Sequence, residues 1–154
     1  MFVDKLGFEQ IDSLILQEKD KLKAAVRQKA EAYQNDTNSW HDNAAYDAAL
    51  EKENESIEEI NRLIDIKMSA EIVEKHNIKD AVDLDDIVEV VMDDDDVFEV
   101  TLTGKFLADS KNGEVTLNSP LGKCIYKKCV GDKLSYTAHS NHKCNIEILS
   151  IKKQ

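Results

Sequence analysis

The stretch QNDTNSWHDNAAYDAAL, residues 34–50, separates two long segments that have helical periodicity. Its Asn-Asp-Thr-Asn-Ser run favours a turn, because these short polar side chains hydrogen-bond to nearby backbone in place of helical partners. Asp42 or Asn43 can cap a following helix, since a short polar side chain there accepts hydrogen bonds from free backbone N–H groups. The stretch therefore predicts that the chain turns back on itself between two helices.

Apolar side chains recur on both sides of this turn at intervals of three, four and seven residues, which is the spacing of one helix face. Charged residues occupy most of the other positions, as in a two-stranded coiled coil. Two helices of about 30 residues, each about 45 Å long, can bury such stripes as an antiparallel hairpin. We therefore predict a coiled-coil hairpin domain over residues 1–76. The predicted stripe consists of Phe8, Ile11, Ile15, Leu22, Val26 and Ala30, and of Tyr46, Leu50, Ile57, Ile60, Ile64, Met68 and Ile72.

The pattern changes in the second half, where DAVDLDD (residues 80–86) is interpreted as a polar connection. IVEVV and VFEVTLTG alternate around a DDDD turn and predict a β-hairpin. GEVTLN predicts another strand, and DKLSYTA with CNIEILSI predicts a second hairpin. Between them, Ser119 and Pro120 are the expected cap and first residue of a short helix. Residues 80–154 are thus predicted to form a small domain on an antiparallel sheet, which makes the chain α+β.

Composition and charge limit the class of protein. The chain has 154 residues, of which 42% are hydrophobic and 33% charged, with a net charge of −11. No apolar run approaches the roughly 20 residues that span a membrane, and the N-terminus lacks the layout of a signal peptide. We therefore expect a cytoplasmic protein that contacts no membrane. The acidic balance argues against tight binding to duplex DNA, which depends on neutralising phosphates, so any involvement with DNA is expected to be indirect.

The three cysteines, Cys124, Cys129 and Cys144, all lie in the second half. Their odd number argues against a disulfide framework. A zinc site drawing on these thiols, His139 and His142 is a weaker interpretation, because the spacing of CIYKKC is loose for a structural zinc site. Cys144 alternates with Ile146 and Ile148 in the sequence, as a core position does. Residues 139–142 are instead interpreted as the turn of the last hairpin, and Asp93 to Asp96 as a solvated turn.

Several strings, in this order, resemble the Gre transcript cleavage factors of bacteria. LGFEQIDSLI is similar to their opening helix, and the run from Asp42 to Glu74 is similar to the family's ENAEY-x-AA segment. In the second half, EVTLNSPLGKCIYKKCVGDKLSY is similar to the family's SP-(I/L)-(A/G)-(K/R) signature. The resemblance covers nearly the whole chain. It implies an N-terminal antiparallel coiled coil and a small C-terminal FKBP-like domain, without implying prolyl isomerase activity.

The resemblance also implies a function. Gre factors dock on the rim of the secondary channel of RNA polymerase, and the tip of their coiled coil reaches the active centre. Two carboxylates at the tip then help to hold a second Mg²⁺ where the 3′ end of backtracked nascent RNA is cleaved. By this resemblance the chain is a monomeric accessory factor and not an enzyme on its own. The implied docking residues are Ser119, Pro120, Leu121 and Gly122.

The tip departs from the family pattern. Asp42 occupies the second acid position of the family's GD-x-x-EN tip, whereas Ser39 stands where the first acid is expected. Asp36 serves as the first acid only if the tip is longer than usual. We expect Asp36 and Asp42 to be the metal-assisting acids, with helix capping as the structural alternative. The altered tip keeps open a second function, a channel-binding factor that inhibits or retunes the polymerase without promoting cleavage.

The residues between the two acids are expected to contact the polymerase centre. Asn38, Trp40 and His41 lie in this inserted part of the tip. Aromatic rings stack on nucleic-acid bases, at about 1–3 kcal/mol per base, so Trp40 is a candidate for contact with RNA. The alternative is that Trp40 folds back over the tip itself.

Overall fold

The computed structural model of the chain describes residues 1–35, 43–93, 96–138 and 142–154. Its contacts divide the chain into two compact units, residues 11–69 and residues 1–10 together with 70–154. The predicted domain ranges, 1–76 and 80–154, differ from this division at the ends of the hairpin, and they stay a prediction. No described helix is both long enough and apolar enough to cross a membrane.

Two long helices form the first unit, as the turn in the sequence predicts. Helix α1 spans Lys5–Asn35 and helix α2 spans Ala44–Met68, or about 46 Å and 37 Å at 1.5 Å per residue. Near one end, Lys67 Nζ lies 2.5 Å from Asp12 Oδ1, and further along Lys29 pairs with Glu53. Late residues of α1 thus contact early residues of α2, so the helices are antiparallel and the predicted helical hairpin is confirmed.

The seam between the two helices differs from the predicted stripe. Ile11, Ile15 and Ile60 are buried as expected. The other buried positions are occupied by Leu63 and by small residues, none of which was part of the predicted stripe. These small residues are Ala25, Ala49 and Ser56.

Several of the larger side chains predicted for the stripe lie outside the seam. Leu50, Ile57 and Ile64 each follow a seam residue by one position, which places them about 100° further around the helix. Alanine and serine leave room for a facing helix, so small residues can occupy buried positions that a stripe of large residues misses. Ile72 lies beyond α2 altogether. The predicted residues that are exposed are Val26, Leu50, Ile57, Ile64, Met68 and Ile72.

The second unit contains a five-stranded sheet of β3 (Ile87–Met92), β4 (Asp96–Thr103), β5 (Glu114–Thr116), β6 (Lys133–Thr137) and β7 (Lys143–Lys152). The strands lie in the order β5-β4-β3-β7-β6. Both predicted hairpins are present, as β3 with β4 and β6 with β7. The β3–β4, β3–β7 and β6–β7 pairs are antiparallel, which confirms the predicted antiparallel sheet, and the β4–β5 pair is parallel. The short helix α3 (Pro120–Ile125) contributes the buried side chain of Ile125 to the core on the sheet.

The first ten residues belong to this sheet unit through their backbone. Strand β1 (Phe2–Val3) pairs in parallel with β2 (Glu71–Ile72). The amide of Asp4 donates to the carbonyl of Gly104 at 2.8 Å. Gly7 lies so close to the same segment that an added Cβ would be 2.6 Å from the Gly104 oxygen. Two-residue strands and a close glycine contact leave no periodic signal, so the sequence did not predict this pairing.

The predicted polar connection DAVDLDD is largely buried, and its two buried carboxylates, Asp83 and Asp86, are paired. Asp86 Oδ2 accepts hydrogen bonds from Lys153 Nζ and from the Asp83 amide, both at 2.8 Å. Lys75 Nζ lies 3.4 Å from Asp86 Oδ1. The segment is a connection as predicted, but its burial had no sequence signal, because acidic residues enter a core only when partners such as Lys153 compensate their charge.

Asp83 is held by backbone donors. Its carboxylate accepts from the amides of His76 at 2.7 Å, Leu84 at 2.9 Å and Ile78 at 3.3 Å. Burial opposes ionisation, yet these N–H groups together hold the pKa of the Asp83 carboxyl below its ordinary value. The carboxylate thereby ties the backbone of residues 76–84 together.

Candidate functional site

Asn43 holds the two helices together where the candidate tip begins. Its Oδ1 accepts from the Tyr46 amide at 3.0 Å, which caps the N-terminus of α2. Its Nδ2 donates to the Ala32 carbonyl of α1, also at 3.0 Å. One side chain thus satisfies an orphan donor of one helix and an orphan acceptor of the other. The predicted capping at Asp42 or Asn43 is confirmed for Asn43.

Aromatic and acidic side chains surround this clamp. The rings of Tyr33 and Tyr46, one from each helix, have centroids 6.5 Å apart and are tilted by 53°, within the range of favourable aromatic pairs. Asp47 lies in the first turn of α2, where a negative charge interacts favourably with the positive end of the helix dipole. Glu31 pairs with Arg27 at 2.8 Å. The described ends of the two helices are therefore held in a defined arrangement.

The predicted tip residues lie outside the described part of the chain. They are Asp36, Asn38, Trp40, His41 and Asp42. Their roles as metal-assisting acids and as tip contacts stay predictions. In the sequence, Asp36 directly follows the last residue of α1, and Asp42 directly precedes the clamp residue Asn43.

The predicted docking residues form the start of helix α3. Ser119 Oγ accepts from the Gly122 amide at 2.9 Å and donates to the Thr116 carbonyl at 2.8 Å. This confirms Ser119 as the cap, with Pro120 in the first helical turn. Leu121 packs against the core, and a Cβ on the buried Gly122 would collide with the Thr116 carbonyl. These contacts explain the motif structurally, and its role in docking stays a prediction.

Sequence reasoning missed two features around the candidate sites. The bond from Asn43 to Ala32 joins residues 11 positions apart and has no sequence signature beyond an asparagine near a helix start. The contact of Lys153 with Asp86 spans 67 positions. Both depend on how the elements pack.

The second half of the chain matches the family model "Transcription elongation factor, GreA/GreB, C-term" over residues 76–153. Transcription elongation factor GreA of Chloroherpeton thalassium is 34% identical over 136 residues, which are 85% of this chain and 84% of that protein. GreA of Chlorobaculum parvum is 34% identical over 113 residues, 71% of this chain and 70% of that protein.

A solved structure also resembles the chain. The crystal structure of GreA factor homolog 1 (Gfh1) of Thermus thermophilus is 21% identical, and 99% of each chain is covered. The TM-score of 0.45 is too low to add to the assignment that the sequence relatives support.

Proposed function

We infer that the function of this chain follows from its family, because it belongs to the GreA/GreB family of transcription elongation factors. We propose that it binds RNA polymerase through the secondary channel and stimulates cleavage of backtracked nascent RNA. The chain would act as an accessory factor, because the polymerase supplies most of the active site. In this proposal, the start of helix α3, from Ser119 to Gly122, lies at the docking surface on the channel rim.

The observation that carries this proposal is the pair of acids in sequence next to a clamped hairpin end. Asn43 joins α2 to α1 at 3.0 Å, and the ion pair of Asp12 with Lys67 lies near the opposite end of the hairpin. From Lys67 to Asn43 the helix rises about 36 Å at 1.5 Å per residue. A rod of this length supports the delivery of Asp36 and Asp42 into a deep channel.

The donor set suits the implied metal. Asp36 and Asp42 offer carboxylate oxygens, the ligands that Mg²⁺ prefers, and Mg²⁺ commonly takes only one or two carboxylates beside water and phosphate. When bound, Mg²⁺ would supply Lewis acidity and orient water for phosphodiester hydrolysis. The part of this chain would be to present two negative charges to an ion held mainly by the polymerase.

The rival function is occupation of the channel without cleavage. Ser39 in place of an acid and the five residues between Asp36 and Asp42 are the features that favour it. A tip of different length would place the acids differently, and metal-assisted hydrolysis is sensitive to misplacement of about 1 Å.

The test is RNA cleavage in a stalled, backtracked elongation complex of the cognate polymerase. Wild type would be compared with Asp36→Asn and Asp42→Asn, which remove one charge each and keep the side-chain size. Asp20→Asn is the matched control, because Asp20 is an exposed acid of α1 whose ion pair, with Lys23 at 3.0 Å, lies on the surface of the same helix. All proteins would be compared at equal occupancy of the polymerase.

We expect wild type and Asp20→Asn to accelerate cleavage equally. Each tip variant should reduce the acceleration by about tenfold or more, which corresponds to about 1.4 kcal/mol of lost transition-state stabilisation. Tight binding by wild type with unchanged or slower cleavage would overturn the proposal in favour of the rival function. An equal loss in Asp20→Asn would show that only overall charge matters.

A further inference from the structure

Three side chains of different chemistry converge at one end of the five-stranded sheet. A carboxylate oxygen of Asp93, a ring nitrogen of His142 and the Sγ of Cys144 all lie within 4.8 Å of one another. Among the residues that the structure describes, no other three histidine, cysteine or acidic side chains are gathered in this way. We propose that Asp93, His142 and Cys144 form a binding site for zinc.

The strand pairing of β7 explains why the three meet. His142 directly precedes β7 and Cys144 is its second residue, so the two side chains point to the same side of the strand. Asp93 directly follows β3, whose last residue, Met92, pairs with Ile146 of β7. The sheet register therefore brings the end of one strand to the start of another.

Backbone and side-chain bonds hold Asp93 in place. Its amide donates to the Asn145 carbonyl at 2.9 Å, and the Asn145 amide donates back to Asp93 Oδ1 at 3.0 Å. The side-chain Nδ2 of Asn145 approaches the same oxygen at 3.4 Å. These bonds engage Oδ1 and position the carboxylate beside β7. Asp93 also has a positive φ of 49°, a conformation that aspartate adopts more readily than most residues.

Backbone pairing in the β6–β7 hairpin positions the main chain of the other two residues. The amide of Ala138 donates to the His142 carbonyl at 2.9 Å, which closes the β6–β7 hairpin below the histidine. Cys144 stands opposite Tyr136 across this hairpin and is 6% exposed, whereas His142 and Asp93 are exposed. The cluster thus has one buried sulfur and two ligands that can be reached from solvent.

The donor set and spacing select the ion. Thiolate, imidazole and carboxylate together suit zinc, whereas Mg²⁺ and Ca²⁺ prefer oxygen ligands only. With bonds of about 2.0–2.3 Å, ligand atoms around one tetrahedral zinc lie about 3.5 Å apart. The present group, whose ligand atoms lie within 4.8 Å of one another, must therefore contract by up to about 1.3 Å. Rotation of the exposed His142 side chain would provide most of this change. Three protein ligands leave the fourth position to water.

This assignment differs from the zinc interpretation considered from the sequence. Cys144 is buried as its alternation with isoleucines predicts, and it still contributes a ligand atom. Cys129 and Cys124 are absent from the described cluster. Asp93 replaces them, and its distance of 49 positions from His142 hides it from any spacing motif.

The test uses the full chain, freed of metal with a chelator and reduced, and titrated with Co²⁺ as a spectroscopic substitute for zinc. We expect one Co²⁺ per chain with sulfur-to-cobalt charge-transfer absorption in the near ultraviolet, and displacement of this ion by Zn²⁺. Zn²⁺ should also raise the unfolding temperature, because an ion that binds only the folded state stabilises it.

Three variants test the ligands. Cys144→Ser should abolish the charge-transfer band, while His142→Ala and Asp93→Asn should weaken affinity by about tenfold or more, since even changes behind the ligands cost 10–100-fold. His142 is exposed, so its variant remains informative if the change at the buried Cys144 impairs folding. Cys129→Ser is the control, because this exposed thiol belongs to the same unit and should leave binding unchanged.

Two results would overturn the assignment. One is the absence of a cobalt–sulfur band in the folded wild-type chain. The other is a band that persists in His142→Ala and disappears in Cys129→Ser, which would place the ion on another thiol. The titration contains no polymerase, so its outcome is independent of the cleavage proposal.

Discussion

The side-chain amide of Asn43 donates a hydrogen bond to the carbonyl of Ala32, 3.0 Å away on the facing helix. The same side chain accepts from the Tyr46 amide and caps its own helix. Because both bonds come from one residue, the cap of α2 and the closure of the hairpin end are coupled.

Asn43→Ala is expected to remove both bonds. Loss of a cap costs about 0.5–2 kcal/mol, and loss of the bond to Ala32 adds about 1 kcal/mol. The free energy of unfolding, measured with denaturant, should fall by about 2 kcal/mol. Asn43→Asp is the matched control: it keeps the cap acceptor and loses the donor, so its loss should be clearly smaller. An equal loss of stability in both variants would show that the cap on the Tyr46 amide contributes nothing measurable.

Gly7→Ala tests the close approach of helix α1 to the segment at Gly104. Alanine is favoured over glycine in a helix by about 1 kcal/mol, so the local effect is stabilising. The added Cβ would lie 2.6 Å from the Gly104 oxygen and 2.8 Å from the Phe106 nitrogen, and overpacking of this kind costs about 1–3 kcal/mol. We expect net destabilisation in thermal unfolding.

Gly131→Ala serves as the comparison for that variant. Gly131 has a φ of 86°, and an added Cβ there meets nothing within 4 Å. Its cost should be only the backbone strain of about 1–2 kcal/mol. If Gly7→Ala raises the unfolding temperature, the close approach does not exist in solution.

Lys153→Met and Lys152→Met compare two adjacent lysines in different surroundings. Lys153 pairs with the fully buried Asp86 at 2.8 Å, whereas Lys152 pairs with the exposed Glu99. Exposed pairs contribute about 0–1 kcal/mol, while removal of a partner from a buried carboxylate costs more. For Lys153→Met we expect the free energy of unfolding to fall by about 1–3 kcal/mol. The loss is limited because Lys153 is itself partly exposed and Lys75 also faces Asp86.

Chemical denaturation of the two methionine variants would measure this difference. Lys152→Met should stay within about 0.5 kcal/mol of wild type, as most surface substitutions do. An equal or larger loss of stability in Lys152→Met than in Lys153→Met would contradict the importance of the buried Asp86.

Asp83→Asn should change the dependence of stability on pH. The folded-state pKa of Asp83 is lowered, so the ionised carboxylate contributes stability that is fully present above its ordinary pKa of 3.8. This contribution is lost as pH falls through the lower folded-state pKa. Wild type should therefore lose stability more steeply than Asp83→Asn below about pH 4.

At neutral pH the same variant should be less stable than wild type, because three backbone donors lose a charged acceptor. Unfolding curves collected from pH 7 down to pH 2 would show both effects. Asp20→Asn, at an exposed surface position, should follow the wild-type profile. Parallel profiles for wild type and Asp83→Asn would contradict the lowered pKa.

The elements that depend on local chemistry could be predicted from the sequence. The helix break before Asn43, the cap at Ser119 and the alternation of both hairpins each involve residues within a few positions of one another. The seam of the hairpin could not be predicted in full, because Ala49 and Ser56 are buried by the shape of the facing helix and not by their own hydrophobicity. The candidate tip remains a sequence prediction based on Asp36 and Asp42.

The sequence by itself determined the two long helices, the two hairpins of the sheet and the family, because periodicity, capping and motif strings are local properties. It also predicts the tip acids Asp36 and Asp42. Only the tertiary structure decided which distant residues meet. Asp86 is buried beside Lys153, because the C-terminal end of the chain lies next to residues 81–86. Asp93 lies near His142 and Cys144, because strand register brings the end of β3 to the start of β7. These contacts depend on opposite charges that meet in the fold and on residues of different strands that lie on the same face of the sheet. Neither can be read from the spacing of residues along the chain.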